Sequence, residues 1–129
     1  HPQGVTSNQA IRLLGVATGV NVNTTGDSAV IPVGNTTNYS VYQVIFVNAS
    51  TSLSSAAAGV WTAANKGGTN IVANAALSAN TGPTIVSQAT VATTNTQSSQ
   101  NLYVNVGTAQ GAAATVDVYV FGYDFSTYN

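Results

Sequence analysis

The chain has 129 residues, of which only 4% are charged, and it contains two cationic side chains, three carboxylates and no cysteine. A typical soluble domain carries about 25% charged residues, so this chain has no basic stripe with which to bind nucleic acid or anionic lipid, and no disulfide. The 44% of hydrophobic residues suffices for a buried core, and we expect a single domain over 1–129 in which 1–10 form an extended N-terminal arm.

Short runs rich in Val, Ile and Tyr follow one another along the chain, separated by clusters of Gly, Asn, Ser and Thr. Valine dominates with 18 copies against five each of Leu and Ile, which favours strands because β-branched side chains fit a pleated sheet. The pattern predicts an all-β fold, an antiparallel β-sandwich of about eight strands that is jelly-roll-like, although an immunoglobulin-like topology is also compatible. The predicted strands are 11–17, 29–33, 40–47, 58–63, 69–75, 84–92, 101–106 and 115–121.

Three details between these strands concern turns and helices. The Ala-rich stretches SLSSAAAG and NAALSAN could form helical turns by propensity. Because Gly59 and Asn80 end both stretches before a stable helix length, strands are the better prediction there. Gly67-Gly68 predicts a tight hairpin turn between the fourth and fifth strands.

Catalytic chemistry has few candidate residues in this sequence. His1 is the only histidine and stands at the terminus, so neither a Ser-His-Asp arrangement nor a two-histidine copper site is expected. Asp117 and Asp124 could approach one another as a glycosidase pair, or hold Ca²⁺ with help from Asn carbonyls. No calcium-loop motif is present, however, and both residues fit simpler roles on a strand and in a turn. We therefore expect no enzyme, no cofactor and no metal.

The last predicted strand carries the densest aromatic cluster of the chain. In TVDVYVFGYDF, 115–125, three valines alternate with a second face that is mostly aromatic. Such a face in a chain with so few charges predicts a subunit interface, in which the aromatic residues form the patch and the two carboxylates form its rim. The alternative is that both faces of this strand are buried within one subunit. The predicted interface residues are Asp117, Tyr119, Phe121, Tyr123, Asp124 and Phe125.

A family resemblance covers about two-thirds of the chain. The segment VYQVIFVNASTSLSSAAAGVWTAANKGGTNIVANAALSANTGPT, 41–84, followed by NLYVNVG and TVDVYVFGYDF, resembles small proteins encoded among tailed-bacteriophage structural genes. The shared features are a strand ending in N-A-S, a small-residue stretch leading to G-V-W-T-A, a G-G-T hairpin return, the L-Y-V-N-V-G strand and an aromatic-G-Y-D ending.

The resemblance implies a virion component on the outer capsid surface, a decoration or cement protein that stabilises the shell through subunit contacts. Its partners would be the major capsid protein, copies of itself in a homo-oligomer, or both, with no nucleic acid and no membrane. Such a protein needs no active site, and many weak contacts repeated by symmetry give it strength.

Two other functions stay open, both at an extracellular or cell-surface location. A filament or pilus subunit would insert the arm HPQGVTSNQA into a neighbour's sheet by strand addition, although Pro2 and Gly4 weaken this arm as a strand. A carbohydrate-binding or adhesin module would use Trp61 and exposed tyrosines as stacking platforms with Asn side chains as polar contacts. Trp61 fits the core at least as well.

Overall fold

The computed structural model describes residues 11–34 and 36–125, and strands are the regular structure of this part of the chain. The described residues contain no helix, and so none that could cross a membrane. Both Ala-rich stretches contribute residues to strands, and the predicted arm 1–10 lies outside the described residues. The strands are β1 (Arg12–Asn21), β2 (Gly26–Pro32), β3 (Tyr39–Val47), β4 (Ala57–Ala63), β5 (Gly67–Ala76), β6 (Ser87–Ala89), β7 (Asn101–Thr108) and β8 (Thr115–Asp124).

The strands form two four-stranded sheets. One sheet, named here the β8 sheet, has the order β1-β8-β3-β6, and the other, the β7 sheet, has the order β2-β7-β4-β5. All neighbouring strands are antiparallel. The chain passes from one sheet to the other at every connection except β4 to β5, which is the connectivity of a jelly roll. The predicted jelly-roll-like sandwich is therefore confirmed.

The sixth strand is shorter than the predicted 84–92. Only Ser87–Ala89 pair with β3, and Val91 then forms an isolated bridge with Val72 of β5 in the opposite sheet. The segment 84–92 is thus divided between the two sheets. It covers part of one open side of the sandwich.

The hairpin turn between β4 and β5 lies earlier in the chain than predicted. Asn65 and Lys66 have φ values of 57° and 60°, and the Gly67 N–H donates to the Ala64 carbonyl at 3.1 Å, as in a type I′ turn. Gly67 and Gly68 begin β5 instead. Asn tolerates the left-handed conformation better than most residues. Asn65 can therefore occupy the turn position that was predicted for the Gly67-Gly68 pair.

Valine side chains form much of the core between the two sheets. On β8 every second residue is buried, and Val116, Val118 and Val120 have no exposed surface. Burying one such side chain contributes about 1.5–3 kcal/mol, so the three valines together determine which face of β8 points inward. The aromatic residues between them are consequently displayed on the outer face of the β8 sheet.

Tyr39, at the start of β3, is the largest fully buried side chain. Its hydroxyl donates to the Ser99 carbonyl at 2.6 Å, and this bond ties β3 to the segment that precedes β7. Burial disfavours the charged phenolate and raises the pKa of Tyr39 to about 12. The Tyr39 hydroxyl therefore stays protonated in the folded protein at any pH below 10.

Candidate interaction surface

β8 lies in the middle of its sheet, between β1 and β3, so its outward side chains have neighbours on both sides. Tyr119 is directly opposite Val16 of β1 and Ile45 of β3. All three of these side chains are half-buried. The strand order has thus surrounded the predicted aromatic residues with further apolar side chains from two other strands.

The same arrangement continues towards the end of the strand. Phe121 is opposite Leu13 of β1 and Gln43 of β3, and Leu13 is 43% exposed. The result is a continuous apolar surface, named here the aromatic face. It consists of Leu13, Val16, Tyr42, Ile45, Val47, Tyr119, Phe121, Tyr123 and Phe125.

A β-bulge adds Tyr42 to this surface. The β3–β8 register shifts between Val41 and Gln43, and the extra residue leaves Tyr42 50% exposed. Its ring meets the Tyr123 ring edge to face at 5.8 Å between centroids, and the Tyr123 ring stacks on Phe125 at 6.2 Å. Aromatic pairs in these geometries contribute about 0.5–1.5 kcal/mol beyond area burial, so this end of the face is well ordered.

Asp117 lies at the opposite end of the aromatic face, as its strand position predicts. Its Oδ1 accepts a hydrogen bond from the Gly19 N–H at 2.8 Å, and its Oδ2 accepts one from Asn48 Nδ2 at 3.1 Å. The carboxylate therefore connects β8 to the β1 bulge and to the residue after β3. Since both oxygens are engaged, it is a well-anchored charge at one end of an otherwise neutral surface.

Asp124 lies on the other side of β8 and does not border the aromatic face. It is 7% exposed; its Oδ2 accepts from Arg12 at 3.1 Å and its Oδ1 from the Thr36 hydroxyl at 2.6 Å. Asp117 and Asp124 are seven positions apart, and an odd separation on one strand places two side chains on opposite faces. The two carboxylates are thus not brought together as a catalytic pair or a shared cation site.

Gly122 separates two residues of the aromatic face and allows β8 to approach β3 closely. A Cβ at this position would collide with the Ser40 carbonyl oxygen and would lie 2.9 Å from a Leu14 methyl carbon. No side chain larger than hydrogen fits there without a shift of the backbone. The glycine thus sets the spacing of the strands beneath Phe121 and Tyr123.

The outer face of the β7 sheet holds the single tryptophan. Trp61 is opposite Tyr103, both are half-buried, and the Trp61 ring covers Gly59, whose Cβ would lie 2.8 Å from two ring atoms. Trp61 is therefore an outward residue and does not belong to the core between the sheets.

The β4–β5 hairpin is tied to this same sheet by Asp27. The Asp27 carboxylate accepts from Asn105 Nδ2 at 2.9 Å and from the Asn65 N–H at 2.8 Å. All three carboxylates of the chain are thus hydrogen-bonded to neighbouring protein groups. Among the described residues, no group of three His, Cys, Asp or Glu side chains could hold a metal ion.

A recess of about 230 Å³ lies between the free edges of β5 and β6. Its walls include Phe46, Leu77 and five alanines, and none of the residues around it is titratable. His1, the other candidate for chemistry, is outside the described residues. The recess therefore offers apolar contact and neither an acid nor a base.

Comparison with protein-family models, with curated proteins and with solved structures found no match to this chain. To the residues that the sequence suggested, the structure adds Leu13, Val16, Tyr42, Ile45 and Val47. The alternation within 40–47 could have indicated that Ile45 and Val47 share a face. No local signal could have shown that β1 and β3 flank β8, because strand order depends on contacts between distant parts of the chain.

Proposed function

We propose that this protein is a non-enzymatic structural component of a virion, a decoration or cement protein that stabilises the outer capsid shell through subunit contacts, some of them made by the aromatic face. The observation that carries the proposal is the aromatic face, a largely apolar surface with one carboxylate at its end, on a chain that has almost no charge elsewhere. Exposed apolar patches of a few hundred Å² are often sites of protein association. The protein's partners are the major capsid protein, copies of itself, or both.

Two further observations support this function. The jelly roll occurs in viral capsid proteins, but also in lectins and cupins, so the fold alone does not select among them. The sequence resemblance to tailed-phage structural proteins favours the virion among these classes. Contacts made by apolar and amide groups are little affected by salt, which suits a protein that must stay attached outside a cell.

The test is co-sedimentation of the purified protein with heads of the tailed phage that encodes it, at low and at high salt. We expect saturable binding that persists at high salt and that Leu13→Ser weakens. Val30→Ser is the matched control, because Val30 is similarly exposed at 48% but lies on β2 of the other sheet. Absence of binding, together with salt-resistant filaments formed by the protein alone, would instead support the extracellular filament subunit.

A carbohydrate-binding function is the second candidate, and one observation favours it. Trp61 and Tyr103 stand side by side on the outer face of the β7 sheet, and paired aromatic rings can stack on the apolar faces of sugars. Binding of a neutral glycan by the monomer, lost in Trp61→Ala and retained in Leu13→Ser, would select this function over the structural one.

A further inference from the structure

We infer that the aromatic face is covered by the same face of a second copy of this chain, related to the first by a two-fold axis that crosses β8. This inference rests on the proposed function, in which the aromatic face binds protein, and it names the partner. The two β8 sheets would pack face to face, about 10 Å apart, as stacked sheets do within single domains.

Charge is the first reason to choose a second copy. The aromatic face has no cation with which to attract an acidic partner: Arg12 is engaged with Asp124, and Lys66 is at the β4–β5 hairpin of the other sheet. Its single carboxylate, Asp117, already accepts two hydrogen bonds. A neutral apolar surface matches it best, and the chain itself carries such a surface in this same face. A two-fold contact brings a surface patch against its own copy.

The area of the aromatic face indicates the size class of the interface that it can form. Three strands about 4.8 Å apart, each with eight residues of about 3.3 Å rise, have a projected area of roughly 400 Å². Side chains that are about half exposed, such as Tyr42 at 50% and Phe125 at 47%, increase the contact area beyond this value. The interface is then at or below the small end of specific protein contacts, so we expect a weak and reversible dimer. Repetition on a symmetric surface would strengthen such a contact greatly.

Asp117 determines the direction of the two-fold axis. If the two β8 strands ran parallel across the interface, the two Asp117 carboxylates would face each other away from water, which is unfavourable. If they run antiparallel, with the axis near the middle of β8, each Asp117 faces the Tyr42–Tyr123 end of the other copy. Tyrosine hydroxyls are suitable donors to a carboxylate, so the antiparallel arrangement is the one that we infer.

Sedimentation equilibrium of the purified protein, without capsids, tests the dimer. We expect a reversible dimer that Leu13→Ser and Tyr42→Ser each weaken at least about fivefold, since truncation of an apolar interface anchor weakens binding by about this factor or more. The control Val30→Ser replaces a side chain that is 48% exposed and lies on β2 of the other sheet, and it should change the dissociation constant less than twofold. Far-UV circular dichroism and thermal unfolding verify that each variant is folded.

The absence of native cysteine allows a direct test of the axis. Asp117→Cys and Tyr123→Cys variants are mixed and treated with a thiol-specific crosslinker that spans the roughly 10 Å between the two sheets, and the antiparallel dimer predicts crosslinked heterodimers of the two variants. Homodimers of each variant alone would show the parallel arrangement and overturn the inferred axis.

A wild-type protein that stays monomeric at millimolar concentration, or equal weakening by the control variant, would overturn the dimer itself. A monomer that nevertheless binds phage heads, with binding lost in Tyr42→Ser, would assign the aromatic face to the capsid protein and leave the proposed function standing. A dimer with the expected variant pattern that binds no heads would support this inference and refute the proposed function.

Discussion

Replacement of Gly122 by alanine should destabilise the protein through one identifiable contact. The new Cβ would collide with the Ser40 carbonyl oxygen of β3 and approach Leu14 at 2.9 Å. A carbonyl oxygen within a paired strand cannot move away without loosening the β3–β8 hydrogen bonds. Since Gly122 has no left-handed φ, the effect arises from crowding and not from backbone conformation.

The expected cost follows from the size of the required shift. Overpacking by one methyl group in a close-packed interior costs about 1–3 kcal/mol, and the better strand propensity of alanine offsets about 0.5 kcal/mol of this. For a chain of this length, with about 2.1 cal/mol/K of unfolding entropy per residue, each kcal/mol lowers Tm by about 4 °C. We therefore expect Tm to fall by roughly 2–10 °C.

Thermal unfolding followed by circular dichroism measures this effect, and Gly34→Ala is the matched control. Gly34 has no positive φ, and no atom of the described residues other than its chain neighbours lies within 4 Å of its added Cβ, so that substitution should be neutral or slightly stabilising. If Gly122→Ala unfolds at the same temperature as the wild type, β8 and β3 can separate freely, and the inferred role of Gly122 in setting the aromatic face is refuted.

Three further predictions concern buried groups. Asp124→Asn should lower the unfolding free energy in urea by about 1–3 kcal/mol, because Arg12 loses its charged partner; an unchanged midpoint would contradict this. Val118→Ala should cost about 2–4 kcal/mol by leaving a cavity between the sheets, whereas Val86→Ala, 61% exposed, should cost less than about 0.5 kcal/mol. For Tyr39 the folded pKa of about 12 exceeds the unfolded 10.0, so its stabilisation is complete below pH 10 and is lost between pH 10 and 12. It amounts to at most about 3 kcal/mol at 1.36 kcal/mol per pKa unit, and Tyr39→Phe should remove this part of the alkaline destabilisation.

The sequence by itself indicated an all-β fold of eight strands and the approximate position of each, although the sixth strand is much shorter than predicted. The alternation of Val116, Val118 and Val120 with polar and aromatic residues specified the inner face of β8, because successive side chains on a strand point to opposite sides. The same rule separates Asp117 from Asp124: the predicted strand ended at Phe121 and left Asp124 in a turn at the rim, whereas β8 continues to Asp124 and directs it to the opposite face. Turn residues predicted the strand ends well, with one exception. Asn65 and Lys66 form the β4–β5 turn, which was predicted at Gly67-Gly68.

Only the tertiary structure decided which strands become neighbours. The aromatic face needs β1, β8 and β3 side by side, although Leu13 and Phe121 are more than one hundred residues apart in the chain. Such pairings depend on how two whole sheets bury their valines together, and no local pattern encodes them. The sequence thus supplied the aromatic residues of β8, while the fold surrounded them with Leu13, Tyr42 and Ile45 and made one continuous surface.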